Sequence, residues 1–440
     1  MPQVRLRRHD RGAVGEVVLT PGFARVGGTL HCEGVPADRI ATAAGTPTYV
    51  YSAGAVRAQF QRLSDAFADV PHRLHYSVKA NSNLAVLSLL RQLGAGVDIV
   101  SGGELFRAHA AGFAGRDVVF SGVGKTEREL DEALAADVLF VNVESEGELH
   151  LLDRVARRRG VRAPAALRVN PEVTVHTPHE YTRTGERGHK FGIPLDEVRA
   201  LGRTAARLPN VTLVGLDMHI GSQIAQFAPY GAALERLLEL LGEVRGDGAS
   251  ELVYLDVGGG LAVTYDGEHE ADVESFAAGV KAAVAGAGIT LVLEPGRFLV
   301  ANAGALLTRV LYRKTSGGKA YIIVDAGMND LVRPSHYQAF HRVEAVTPGG
   351  GRLVADVVGP VCESGYFLAL EREMDDVAPG ELLAVHSAGA YGYVMASNYN
   401  SRPRPAEVLV DGDRFAIVTE RERYEDLVRL ERVTPEWRAI

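Results

Sequence analysis

From about residue 73 to residue 295, short apolar runs alternate with longer stretches in which apolar residues return every three or four positions. The runs are "RLHYSVK", "GVDIV", "DVVFS", "VLFVNV", "PAALRV", "TLVGLDMH", "LVYLDV" and "TLVLE". Between them lie "NLAVLSLLRQLG", "GGELFRAHAAG", "TERELDEALAA", "EGELHLLDRVARRRG", "PLDEVRALGRTAARL", "YGAALERLLELLGEV" and "VESFAAGVKAAVAG". The short runs read as strands and the longer stretches as helices, several of which close on glycine. Strands separated by helices pair in parallel, and eight such units predict an α/β fold, a closed (β/α)8 TIM barrel over residues 46–299. An open doubly wound sheet is the alternative with the same local pattern.

After residue 300 the rhythm changes. "GALLTRVLYRKT", "KAYIIVDAG", "RLVADVVGP", "ELLAVHSAGAY", "PAEVLVDG" and "RFAIVTE" follow one another across Gly, Pro and Asp turns with little helix between them. Residues 300–440 therefore predict a mainly β domain, to which residues 1–45 add strands from "GEVVLTPGF" and "TLHCEGV". A chain of 440 residues is too long for one ordinary core, which agrees with two domains.

Composition narrows the function. With 46% apolar and 23% charged residues the chain is that of a globular protein with a sizeable core. A formal charge of −8 argues against nucleic acid as a partner. The basic "RVARRRG" at 154–160 reads as the solvated end of a helix. No run of about 18 apolar residues suggests a membrane span, and the N-terminus lacks the apolar core of a secretion signal. Two cysteines, Cys32 and Cys362, cannot form a disulfide framework, so a reducing, cytoplasmic setting is expected.

In a barrel of this kind the loops after the strands converge on one mouth, so the strand ends are where chemistry is expected. The first strand ends in Lys79, the sixth runs into "HIGSQ", the seventh into "DVGGGL" and the eighth into "LEPGR". Period two along "HYSVK" puts His75, Ser77 and Lys79 on one face, with Lys79 directed to the mouth. Such a lysine either reaches to water and pairs with a carboxylate, or, desolvated, gives up its proton and acts as a nucleophilic amine. Gly258, Gly259 and Gly260 make either a tight turn or an anion pocket lined by amides, and the "EPGR" of Glu294, Pro295, Gly296 and Arg297 on the next loop favours the pocket. Glu294 can bridge to Arg297 or hold a positive ring nitrogen, and His219 can be structural or stack on a ring. An amine, a phosphate cup, an acid and a flat ring together point to pyridoxal 5′-phosphate.

Competing motifs are weaker. "SGVGKT" at 121–126 imitates the end of a P-loop, but the first glycine of that motif falls on Val119. His176, His179 and His189 lack the helical spacing of a metal site, and no metal is expected.

In several blocks the sequence resembles the fold-type III pyridoxal-phosphate decarboxylases, and among these the diaminopimelate decarboxylases. The blocks are "LHCEGVPADRIATAAGTPTYVYS", "YSVKAN", "GVDIVSGGEL", "RVNPEV", "HKFGIP", "MHIGSQI", "DVGGGL", "EPGR", "AGMNDLVRPSHYQAFH", "GPVCESGYFLA" and "AYGYVMASNYNSRPRPAEVLV". The resemblance implies an alanine-racemase-like barrel with a C-terminal β domain, and decarboxylation of meso-2,6-diaminopimelate to L-lysine, the last step of lysine biosynthesis. It implies that Lys79 carries the cofactor, that His219 stacks on its ring, that Glu294 meets its nitrogen, and that Ser222, Gly258, Gly259, Gly260 and Tyr391 lie about its phosphate, with Tyr391 also near substrate. It further implies a head-to-tail homodimer in which "CES" reaches the partner's barrel, Cys362 donating a proton and Glu363 binding a substrate amino group. Arg297, Arg333 and Tyr337 match residues that hold the far carboxylate end. The sequence departs from many relatives at Asp217 and Met218, where a His-Cys pair is frequent.

Charge supports that substrate. A diamine needs an acid for its far ammonium, whereas an arginine at 333 repels an ammonium and binds a carboxylate in bidentate fashion. Lone residues of these types also have ordinary lives: Arg333 as a surface arginine at a short helix, Cys362 as an inert thiol. A decarboxylase of another diamino acid, an amino acid racemase on the same barrel and a catalytically silent homologue remain as other readings.

Overall fold

The computed structural model describes residues 21–175, 190–249, 251–268 and 270–438. His176, His179, His189 and most of "GEVVLTPGF" lie outside the described residues.

Each predicted barrel strand is present. In chain order the strands are β1 (Phe23–Val26), β2 (Thr29–Cys32), β3 (Val35–Pro36), β4 (Thr48–Ser52), β5 (His72–Ser77), β6 (Gly96–Ile99), β7 (Val118–Phe120), β8 (Phe140–Val143) and β9 (Ala163–Asn170). They continue as β10 (Ile193–Pro194), β11 (Val211–Met218), β12 (Tyr254–Asp256) and β13 (Thr290–Leu293). Parallel pairing runs β5-β6-β7-β8-β9-β11-β12-β13, and β13 returns to β5, so the sheet is closed and the doubly wound alternative is excluded. The short β10 is an appendage on β9.

The helices form where the apolar stripe predicts, because each has one face to bury against the sheet, and most have an N-terminal side chain that satisfies a first-turn amide. In Glu127–Ala135 the buried stripe is Leu130, Ala133 and Leu134. Thr126 accepts the Glu129 N–H at 3.2 Å while the Glu129 carboxylate accepts the Thr126 N–H at 3.0 Å, a reciprocal cap. The arginine-rich run is the end of helix Glu146–Arg159, stopped by Gly160 in the left-handed region. Lys125 of the P-loop imitation is buried, donating to Gly122 O, Asn142 O and Glu148. No helix among the described residues is long and apolar enough to cross a membrane.

The remaining strands are β14 (Gly304–Ser316), β15 (Lys319–Val324), β16 (Val343–Ala345), β17 (Arg352–Val358), β18 (Phe367–Asp375), β19 (Leu382–Val385), β20 (Ala406–Asp411) and β21 (Arg414–Thr419). They form a second sheet in the order β18-β17-β15-β14-β4-β20-β21, with β19 and β16 branching from β14. β4, which falls inside the 46–299 range, is thus a central strand of the β sheet, antiparallel to β14 and parallel to β20. It leads straight into helix Ala53–Ala66, so one segment ties the two regions. β1–β3 make a separate small sheet whose Phe23, Leu30, Cys32 and Val35 share a core with Val50, Leu307, Val408 and Val410 of the β domain.

Candidate active site

The site is assembled from the ends of the barrel strands. β5 stops at Ser77, and Val78–Ala80 is a single 3-10 turn, so Lys79 is not part of the strand as period two had it. Two outside hydrogen bonds fix the turn: the Ser77 N–H donates to Pro295 O at 3.2 Å and the Tyr391 N–H donates to Ala80 O at 2.8 Å. Lys79 Nζ donates to Asp98 Oδ2 at 2.6 Å, and its side chain remains 37% exposed, open to the mouth. The Ser77 hydroxyl donates to the same Asp98 oxygen at 2.9 Å. Burial works against the ammonium, but Asp98 first and then Glu294 and Tyr391 outweigh it and hold Lys79 above the ordinary lysine value. The expectation of an amine that readily loses its proton is therefore corrected: in the chain without cofactor Lys79 is charged and paired.

Beneath it lies a set of buried carboxyls. Glu294 is bound not to Arg297 but to Ser121, whose hydroxyl donates to Oε1 at 3.3 Å from β7's end across the barrel. Asp217, Asp256 and Glu294 bring one oxygen each to within 4.8 Å of one another. Burial first, then Asp98 and Asp217, pushes Glu294 well above the carboxylate range; burial and Glu294 do the same to Asp256. Asp217 is pushed up to about 7 by burial, against the pull of Arg168. Arg168 Nη1 lies 3.0 Å from Glu144 Oε1, and its Nε lies 3.7 Å from Asp217 Oδ2. Asp98 Oδ1, Asp217 Oδ1 and Asp256 Oδ2 are buried with no hydrogen-bond partner.

The three glycines are demanded by close approach. A Cβ on Gly258 would lie 2.5 Å from Met218 O, on Gly259 2.2 Å from Glu294 O, and on Gly260 2.3 Å from Gly221 O. Gly258 N–H donates to Asp256 Oδ1 at 2.9 Å and Gly259 N–H to His219 Nδ1 at 3.2 Å. An accepting Nδ1 requires a neutral ring, and burial together with Arg168 and Lys79 holds His219 down at about 3. Gly296 is tight as well, since a Cβ there would meet Ser77 Cβ at 3.0 Å.

The wall of the mouth is basic and aromatic. Arg297 Nε donates to Ser222 Oγ at 3.3 Å, its guanidinium sits 4.7 Å from the Tyr391 ring centre, and Nη1 donates to Tyr265 Oη at 2.9 Å. Arg333, from the short helix Arg333–Tyr337 of the β domain, donates from Nη1 to the same Tyr265 oxygen at 3.0 Å. Arg333 is only 6% exposed, and its Nε has no partner. Tyr337 lies near enough to act on both guanidiniums. Neither arginine is paired with a carboxylate among the described residues. Cys362 and Glu363 are both exposed; the Cys362 N–H donates to Asn400 Oδ1 at 3.1 Å and Glu363 interacts with Tyr399.

Residues 53–301 match the family model of the pyridoxal-dependent decarboxylases, pyridoxal binding domain. The diaminopimelate decarboxylase of Pseudomonas aeruginosa is 50% identical over 408 residues, covering 92% of this chain and 98% of that protein. The chain belongs to the diaminopimelate decarboxylase family. Solved diaminopimelate decarboxylases superimpose closely: that of Helicobacter pylori complexed with L-lysine has a TM-score of 0.87 at 38% identity, over 90% of this chain and 98% of that one. The diaminopimelate decarboxylase of M. jannaschii, also with L-lysine, has a TM-score of 0.89 at 32% identity, over 94% and 99%.

In this decarboxylase four groups of the mouth escape a reading of the motifs: Asp98, Arg168, Asp256 and Tyr265. For the acids a signal existed. An aspartate sits inside the apolar runs "GVDIV", "GLDMH" and "YLDV" near the end of each strand, where an unpaired charge has no structural reason to be buried. Tyr265, nine residues beyond the end of β12, carries no such mark.

Proposed function

We propose that this chain removes carbon dioxide from meso-2,6-diaminopimelate to give L-lysine, with pyridoxal 5′-phosphate as cofactor. What carries the reading is the pair Arg297 and Arg333: one half-buried and one buried guanidinium, neither with a carboxylate partner among the described residues, in the same mouth as Lys79. A buried unpaired cation is costly and favours an anionic ligand, which suits a substrate carrying a carboxylate at its far end and not a diamine.

The residues fit the cofactor by their chemistry. The Lys79 amine is open to the mouth for the aldehyde, Glu294 is a buried acid for the ring nitrogen, and His219 is a neutral ring for the opposite face. Glycines 258–260 and 296 let the strand-end loops pack closely, with the Gly258 and Gly259 N–H groups held by Asp256 and His219, and Gly260, Ser222, Pro295, Arg297 and Tyr391 stand on the same loops for the phosphate. Bound there, pyridoxal phosphate supplies an electron sink for the pair left when carbon dioxide departs. Asp98 holds a proton on Lys79 Nζ and must share it when the amine reacts. Burial among Asp98 and Asp217 disfavours the Glu294 anion, and a positive ring nitrogen beside it would favour that anion again, so Glu294 is placed to hold the nitrogen charged. Arg333, Arg297 and Tyr337 orient the far carboxylate. Cys362 and Glu363, exposed in the single chain, act on a partner's site in a head-to-tail homodimer: Cys362 of the partner subunit protonates the carbon and Glu363 of the partner subunit holds an amino group. A cytoplasmic location completes the reading.

Purified protein with added pyridoxal phosphate is expected to release carbon dioxide from meso-diaminopimelate and not from L-ornithine; release from ornithine alone, or from neither, overturns the proposal. For the shared site, mixing inactive Lys79→Ala and Cys362→Ala chains should restore about a quarter of the activity after subunit exchange, since half the dimers then hold one intact site. No recovery after verified exchange counts against it.

A further inference from the structure

Resting on the reading just given, we infer that Tyr265 is a positioning residue that sets specificity for a carboxylate-ended substrate by holding Arg297 and Arg333 together as one anion seat. Its hydroxyl oxygen accepts from Arg297 Nη1 at 2.9 Å and from Arg333 Nη1 at 3.0 Å. The two arginines come from different regions: Arg297 follows β13 of the barrel, and Arg333 opens a short helix of the β domain. Tyr265 lies on the loop after β12, so a third segment supplies the oxygen that bridges them.

Two like charges drawn to a common point repel, and an acceptor between them offsets that repulsion. A phenol oxygen has two lone pairs, and both are used here, which leaves its O–H free to donate. The ring is held as well. Arg333 lies over it with its guanidinium carbon 4.7 Å from the centre, and the His341 ring meets its edge at 5.5 Å and 80°. His341 Nδ1 is in turn tied to His386 O at 2.8 Å, so the phenol is braced by the β domain. A separate observation points to a ligand at this place: Nε of Arg333, a side chain more than nine-tenths buried, has no acceptor. The seat thus holds two guanidiniums, a free O–H and an unmet N–H, the donor set of a carboxylate site.

The test is Tyr265→Phe in the cofactor-loaded enzyme, which removes one oxygen and keeps the ring. KM for meso-diaminopimelate should rise about tenfold while kcat falls less than about threefold, with the visible absorption of the bound cofactor unchanged. L-lysine, which keeps one carboxylate, should weaken as an inhibitor by a similar factor; 1,5-diaminopentane, which has none, should not. Equal weakening of the diamine, or an unchanged KM, overturns the inference. If Tyr265→Phe does not take up cofactor, the lysine-to-diamine affinity ratio of Tyr265→Leu, which also lacks the oxygen, decides the same point: a collapsed ratio supports it and a ratio near wild type overturns it. Should wild type release no carbon dioxide from meso-diaminopimelate, the functional reading fails; an active wild type with an unaltered Phe variant sinks this inference alone.

Discussion

Inside the barrel, two layers one step of the β pleat apart have opposite chemistry. The lower layer packs Val119, Phe140, Ala166 and Val292 as an apolar cluster of its own, with Phe140 meeting Tyr254 from the far side at 5.4 Å. Two residues further along the same strands come Ser121, Asn142, Arg168, Asp256 and Glu294, all buried and all polar or charged. Period two makes this possible, since residues i and i+2 of a strand face the same way. The lower layer is filled to hold the barrel closed, at a gain set by apolar area. The upper layer costs stability, as buried carboxyl oxygens without partners do, which marks it as the functional layer of the reading proposed above.

This contrast can be broken from either side. The largest effect is expected from Lys79→Ala, which should lower activity by at least about 10⁴-fold and abolish covalent attachment of the cofactor, read by loss of the reducible lysine adduct in mass spectrometry, with the protein still folded. A variant that retains a reducible adduct would falsify the role given to Lys79. In the lower layer Phe140→Ala should cost about 3–5 kcal/mol of stability by denaturant unfolding while the cofactor affinity of the folded protein changes little. A large loss of cofactor affinity instead would erase the distinction between the layers. The smallest effect is that of Asp217→Asn on the cofactor-free protein. With Asp217 near 7 in the folded chain and about 3.9 when unfolded, the folded state holds the extra proton, so stability is full below about pH 4 and is lost as pH rises to about 7. The asparagine removes that loss, so the variant's Tm should exceed the parent's at pH 8 and converge with it at pH 4. A parent and variant with parallel Tm profiles would show that Asp217 does not carry the proton.

The barrel was legible because strands and helices leave different periods, and all eight runs and seven amphipathic stretches are elements of those kinds. The β domain was less so. β18, "FLALEREMD", alternates charge with apolar residues at the sheet's edge, and β16 is three residues long; neither leaves a run to notice. β4 is buried throughout, and nothing in "TYVYS" tells that its partners lie some 250 to 360 residues later rather than in the adjacent barrel. At the site, types were legible where they broke a local rule, such as Lys79 at a strand end or three glycines in a row. Relations were not: that Lys79 is paired with Asp98, that Glu294 answers to Ser121 and not Arg297, and that one phenol joins two arginines all depend on distance in space.

The pairing of β13 with β5 joins the last turn of the barrel to its first. On the ribosome, Lys79 therefore emerges more than two hundred residues ahead of Glu294, and β4 waits still longer for β14 and β20. A nascent chain carries the reactive side chain as an ordinary solvated lysine until nearly the whole polypeptide has been made. On the role proposed for Lys79, its meeting with an aldehyde at a formed site is thereby deferred to the finished molecule.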